Sequence, residues 1–229
     1  MFSQPKTIFT TEAYLKDIIP PPVPARTKLP NWYRHLPNFV EGPDKFMGRT
    51  LKRCPPVLDA MSAGYILTTP AEIEVRVNEE GDIVDWKSDF VVPVIEAHTK
   101  EQIGKHPKSN LPPLKFLNYW QVTTTKGWST LFTPLLSQED SLFTPMSGIV
   151  ETDKYFEYVN FPGFLNFKGT TKTIPRGYPL VQAVPFRRGM DKKAIIRGMT
   201  PKEEAKLRET RMKRTSQPSL YRETMWERK

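Results

Sequence analysis

Proline constrains this chain more than any other residue. It takes 23 of the 229 positions, about twice the usual share of roughly 5%. Each proline fixes φ near −65°, lacks a backbone N–H and biases the preceding residue away from helical geometry. The prolines run from Pro5 to Pro218, so long helices have little room. The fold must be assembled from short elements and many turns.

Between the prolines the apolar pattern has period two. Ile73, Val75 and Val77 alternate with Glu72, Glu74 and Arg76, which is a strand with one buried face. Asn78–Asp82 is a turn and Ile83–Trp86 the returning strand of a hairpin. Lys115–Thr125 alternates with aromatic residues on both faces, which predicts a strand covered on both sides. Tyr65–Thr69, Phe90–Ile95, Trp128–Leu136, Met146–Val150, Tyr155–Phe161, Leu165–Gly169 and Tyr178–Phe186 read as further strands, with Pro162-Gly163 and Pro175–Gly177 as turns. Short strands at this spacing predict a mainly β fold: an antiparallel sandwich, jelly roll or barrel-like core.

Helices are expected in three places. Thr11–Ile19 can form a short one with Thr11 as its cap, and Pro55–Ser62 another, stopped by Gly64. The third begins at Thr200-Pro201-Lys202-Glu203, a capping box with proline in the first turn, and runs to about Lys213. Its apolar residues are few (Ala205, Leu207, Met212), so it is either exposed or completed by a partner. Three regions follow: a proline-rich N-terminal arm over 1–50, a β-rich core over 51–190 and a basic helical tail over 191–229. The arm repeats a Leu-Pro-Asn-aromatic pattern at Leu29–Trp32 and Leu36–Phe39, suited to pinning it to the core or to a neighbouring subunit.

The net charge of +9 is concentrated in the tail, which carries +6 of it. Arg208, Arg211, Arg214 and Arg222, with Tyr221 and Trp226, form the candidate partner-binding set. Glu203, Glu204, Glu209, Glu223 and Glu227 interleave with them. Mixed signs favour a protein surface over a phosphate backbone, so protein partners are expected ahead of nucleic acid. No apolar run approaches the roughly 18 residues that span a bilayer, and the N-terminus lacks a signal core. The expectation is no membrane partner, no secretion, and a cytosolic or assembly context.

Catalytic spacing is not evident. Cys54 is the only cysteine, which excludes an intramolecular disulfide and a multi-cysteine zinc site. His35, His98 and His106 are scattered among loop residues, and no Gly-x-Ser-x-Gly elbow or phosphate-cradling glycine loop occurs. No cofactor, metal or catalytic residue is therefore assigned. Glu151 and Asp153 are the carboxylates of most interest. At i and i+2 on a strand they share a face, and with Trp120 and Trp128 they form a candidate polar pocket. Their structural alternative is a strand end in which Asp153 caps a turn and Glu151 pairs with a base.

Several segments together carry a resemblance. They are Gly127-Trp128-Ser129-Thr130-Leu131-Phe132-Thr133-Pro134, Gly148–Asp153, Val159-Asn160-Phe161, Ile174–Pro179 and Val184-Pro185-Phe186. This stretch, about 113–187, and the aromatic-basic end from Tyr221 resemble an uncharacterised family of bacterial and tailed-phage proteins, a domain of unknown function. Lys154-Tyr155 stands where that family usually shows a second tryptophan. The resemblance implies a β-rich fold and a viral setting, hence a place in the host cytoplasm or in a virion, and no mechanism. The expected function is a non-enzymatic structural or assembly protein. A ligand-binding or enzymatic β-barrel with a pocket near Glu151 and Asp153, and a host-factor or nucleic-acid-binding regulator acting through the tail, are the alternatives.

Overall fold

The computed structural model describes residues 5–138, 141–189, 194–217 and 219–227, without the side chains of 83 and 84. Residues 191–193, where the sequence reading starts the tail, lie outside these. Contacts gather the described chain into two units. The first joins 5–34 with 60–188, the second 35–59 with 189–227.

Among the described residues sixteen strands run in chain order. The first eight are β1 (Thr7–Thr10), β2 (Val23–Pro24), β3 (Phe39–Glu41), β4 (Met47–Arg49), β5 (Tyr65–Thr68), β6 (Ile73–Val77), β7 (Ile83–Lys87) and β8 (Ile95–Ala97). The rest are β9 (Pro113–Phe116), β10 (Gln121–Thr124), β11 (Trp128–Thr133), β12 (Phe143–Pro145), β13 (Gly148–Val150), β14 (Phe161–Leu165), β15 (Thr170–Ile174) and β16 (Pro179–Arg187). The α-helices are α1 (Asn31–His35), α2 (Pro55–Ser62), α3 (Lys100–Ile103) and α4 (Pro201–Ser216).

In the first unit every sheet is antiparallel and open. A five-stranded sheet has the order β13-β11-β16-β5-β2, a four-stranded one β12-β14-β9-β8 and a three-stranded one β15-β6-β7, while β1 pairs with β10. One hydrophobic core draws on all of them, including Leu67, Ile73, Val75, Leu114, Phe116, Phe132, Phe161 and Val181. The packing is sandwich-like, and no closed barrel forms among the described residues. β6 follows its sequence pattern, burying Ile73, Val75 and Val77 and exposing Glu74 and Arg76. Phe116 and Phe143 meet edge to face at 4.7 Å. Each such fully buried side chain stabilises the fold by about 1.5–3 kcal/mol.

Six local readings need correction. Of the strand expected over Phe90–Ile95 only Ile95 lies in one, β8, since Pro93 has no N–H to give a ladder. Of Tyr155–Phe161 only Phe161 does, the chain having turned at Tyr155 N to Glu151 O. The strand expected over Lys115–Thr125 is two strands in different sheets, β9 and β10. Asn118, buried between them, is the cause: its amide bonds the backbone of Trp120 through Trp120 N at 3.1 Å and Trp120 O at 2.7 Å, closing a corner. Pro162-Gly163, expected as a turn, lies inside β14. Gly163 permits this, because a Cβ there would sit 2.3 Å from Thr144 O on neighbouring β12. The strand expected at Leu165–Gly169 is displaced to β15, since Gly169 takes a left-handed φ of +65° and turns the chain. Thr11–Ile19 forms a chain of turns rather than a helix, closed by Leu15 N to Glu12 O and Ile18 N to Leu15 O.

The arm is anchored within the first unit as far as residue 34. Leu15, Ile19, Ala25 and Tyr33 are buried, and Trp32 Nε1 donates to Ser137 O at 3.0 Å. The second unit contains the β3–β4 hairpin, whose strand residues are all exposed, and α4. No helix among the described residues is long and apolar enough to cross a membrane.

Candidate functional site

Gly127–Pro134, Gly148–Asp153 and Val184–Phe186 come together in the first unit. β11 pairs with β16 on one side and β13 on the other, with Thr130 opposite both Pro185 and Val150. Beyond β13 the chain turns at once: Lys154 N and Tyr155 N both donate to Glu151 O, at 2.8 and 2.9 Å. Glu151 and Asp153 therefore sit in a turn and not on a strand, and the two carboxylates part company.

Asp153 faces inward, its side chain only 3% exposed. Its carboxylate holds Arg188 in a two-pronged ion pair, Oδ1 to Nη1 at 2.7 Å and Oδ2 to Nη2 at 2.5 Å. Oδ2 also accepts Gly127 N at 2.7 Å. Arg188 Nη1 reaches on to Trp128 O at 2.7 Å and Ser129 Oγ at 3.1 Å. The Arg188 hydrogen bond holds the Asp153 carboxyl well below the usual carboxylate range; burial opposes this and the Gly127 bond reinforces it. A carboxylate so fixed stays ionised near neutrality and is a poor general acid or base. Beside it, buried Thr152 bonds Thr124 at 2.7 Å and Thr130 at 2.9 Å through their hydroxyls. This polar cluster ties the ends of β10, β11, β13 and β16 together.

Glu151 points outward and pairs with Lys154 Nζ at 2.8 Å, whose bond lowers the Glu151 pKa. It lines a surface groove of about 700 Å³ with Ile149, Val150, Lys154, Tyr155 and Tyr158. Tyr158 donates to the Glu12 carboxylate, and burial first, then that bond, pushes its pKa up to about 12. Trp120 packs against the core and donates Nε1 to Pro20 O at 2.9 Å. Trp128 joins the clasp only through its backbone carbonyl. Of the four residues proposed for a polar pocket, only Glu151 lines the groove. Arg188 was not foreseen, because nothing in sequence links positions 153 and 188; nor were Tyr155 and Tyr158, which the sequence reading placed on a strand.

In the second unit α4 is capped as its sequence predicts. Thr200 Oγ1 accepts Glu203 N at 3.4 Å, the Glu203 carboxylate accepts Thr200 N at 2.7 Å, and Arg197 grips the same carboxylate at 2.7 Å through both Nη1 and Nη2. Arg197 first, then the Thr200 bonds, bring the Glu203 pKa down to about 2. Glu204–Arg208 and Glu209–Lys213 pair one turn apart at 3.6 and 2.6 Å. No residue of α4 is buried. Among the described residues Arg211, Arg214 and Arg222 have no carboxylate within ion-pair distance. Beyond α4 the apolar side chains differ in burial. Leu220 is buried, Trp226 is half-buried with Nε1 bonded to Asp59 Oδ2 at 2.9 Å, and Tyr221 is exposed.

Among the described residues no three His, Cys, Asp or Glu side chains come together as a metal site. Compared with known proteins, the chain matches no family model and no curated protein.

Proposed function

We propose that this chain is a non-enzymatic structural or assembly protein of a tailed phage, acting through protein contacts made by its basic C-terminal helix. One observation carries the reading: α4 is fully formed by its own caps and one-turn ion pairs, yet it buries none of its sixteen residues. Exposed pairs of this kind contribute little, and an isolated helix near this length is marginal in water. Such a helix gains its stability, and its use, from a surface that covers it. The phage setting rests on the resemblance of Gly127–Pro134 and Gly148–Asp153, whose residues build the clasp around Asp153. Uncovered apolar side chains on the β3–β4 hairpin, led by Phe46 at 77% exposure, extend the surface on offer.

The test exchanges Arg211 and Arg214 for glutamine in the full chain. Both side chains are exposed and form no ion pair among the described residues, so melting should be unchanged. Mass spectrometry of particles purified from producing cells should find the wild-type chain at a fixed copy number and the double variant at least fivefold less. Particles free of the wild-type chain would overturn the reading. Salt-sensitive binding of a duplex DNA oligonucleotide, lost in the double variant, would replace the protein partner with nucleic acid.

A further inference from the structure

The edges of the three larger sheets are not equally defended. An open edge strand is a template for another strand, and natural proteins blunt it with charge or proline. In the four-stranded sheet β12 carries Pro145 and β8 carries Glu96; in the three-stranded sheet β15 carries Lys172, and β7 carries Asp85 and Lys87. In the five-stranded sheet β2 carries Pro24. β13, Gly148-Ile149-Val150, has neither. It is exposed as well as undefended: Ile149 is 65% accessible, and Met146 and Tyr155 beside it are exposed. The groove lined by Ile149, Val150 and Tyr155 runs alongside.

We infer that β13 is a self-association edge, which pairs antiparallel with β13 of a second copy about a two-fold axis at Ile149. The occupant follows from charge. In a two-fold pairing each residue meets its own mirror position, so any charge near the axis is set close to its like, and like charges opposite one another are destabilising. The ten residues Ser141–Val150 contain no charge at all, so the segment is free of that penalty. Pairing sets Ile149 against Ile149 and Gly148 against Val150, covering the most exposed apolar side chain of the strand with its own copy. Glu151 falls opposite Ser147, a hydroxyl able to donate to it. The two five-stranded sheets become one of ten. A three-residue strand with its flanks covers less than a standard interface of about 1,600 Å², so the dimer is a weak one. This surface lies in the first unit and is independent of the tail contacts proposed above.

The full chain should show a concentration-dependent monomer–dimer equilibrium by sedimentation between about 1 and 500 µM, the range in which a weak interface is populated. Ile149→Lys, at an exposed position, should melt like the wild type and weaken dimerisation at least tenfold. A second variant tests the geometry. Cys54→Ser with Ile149→Cys should form a disulfide-linked dimer under mild oxidation, since directly opposed Cα atoms about 4.5–5.5 Å apart lie within disulfide reach. Cys54→Ser with Ile8→Cys, on exposed β1, should cross-link at least tenfold more slowly. A wild-type chain monomeric at 500 µM overturns the inference, whatever other strand the edge accepts. So does a dimer that Ile149→Lys leaves intact, or equal cross-linking at positions 8 and 149. None of these results bears on incorporation into particles, so the two readings fail separately.

Discussion

Replacing Gln182 with leucine should destabilise the first unit by about 2–4 kcal/mol. Gln182 is 1% exposed in the middle of β16, and its amide serves three backbone groups. Oε1 accepts Leu136 N at 3.0 Å; Nε2 donates to Ala60 O at 3.0 Å and Ala63 O at 2.7 Å. The two carbonyls flank the end of α2: Ala60 O also accepts Ala63 N at 3.3 Å, and Ala63 O lies one residue past the helix, where the last carbonyls need partners from outside it. Each hydrogen bond contributes about 1 kcal/mol net, and a buried group left unpaired costs about 1–3 kcal/mol. Leucine returns about 1 kcal/mol through its apolar surface. Urea unfolding followed by tryptophan fluorescence would show a lower midpoint at unchanged slope, by about 1–2 M for a slope near 2 kcal/mol/M. A loss under about 0.5 kcal/mol, less than one net hydrogen bond, would refute the reasoning. Gln182→Glu sharpens the test. The ionised side chain can still accept Leu136 N but cannot donate to either carbonyl, so its folded-state pKa is raised. Its stability is retained below the ordinary carboxyl pKa of about 4.3 and lost as pH rises from there.

Three further outcomes follow. Asp153 has a depressed pKa in the folded protein, so its contribution is present above the ordinary aspartate pKa of about 3.9 and disappears only as pH falls further; Asp153→Asn should flatten that acid limb in a stability–pH titration. Tyr158, raised to about 12, contributes below pH about 10 and loses that contribution as pH climbs towards 12, so Tyr158→Phe should flatten the alkaline limb. Gly163→Ala drives a Cβ to 2.3 Å from Thr144 O and 2.6 Å from Phe143 Cζ; a cost of about 1–3 kcal/mol should lower the melting temperature by roughly 2–12 °C.

The parts of this fold legible in sequence are those held by local chemistry. The β6–β7 hairpin shows because Ile73, Val75 and Val77 alternate with charge, and α4 because Thr200, Pro201 and Glu203 encode its start. The parts that were not legible depend on what lies across the fold. Pro162-Gly163 is turn-like in isolation and a strand here because β12 needs to approach closely. Asn118 splits an otherwise unbroken alternation by bonding backbone two residues away. The candidate site divides in the same way. The attraction of Glu151 and Asp153 as a pair rested on strand geometry, and the turn after β13 removed it. Arg188, which decides the role of Asp153, lies 35 positions away and carries no local mark.

The way the second unit is divided along the chain sets a timetable for synthesis. Residues 5–34 and 60–188 make one unit, but 35–59 group with residues that follow 188. The first unit has its whole sequence once residue 188 has been made, whereas Asp59 must wait for Trp226. At about 5–20 residues per second, the 38 residues between 188 and 226 take roughly two to eight seconds to add. Throughout that interval residues 35–59 stand without the later half of their unit. Slow codons beyond position 188 would lengthen the time Asp59 goes without the Trp226 indole, without changing a single residue.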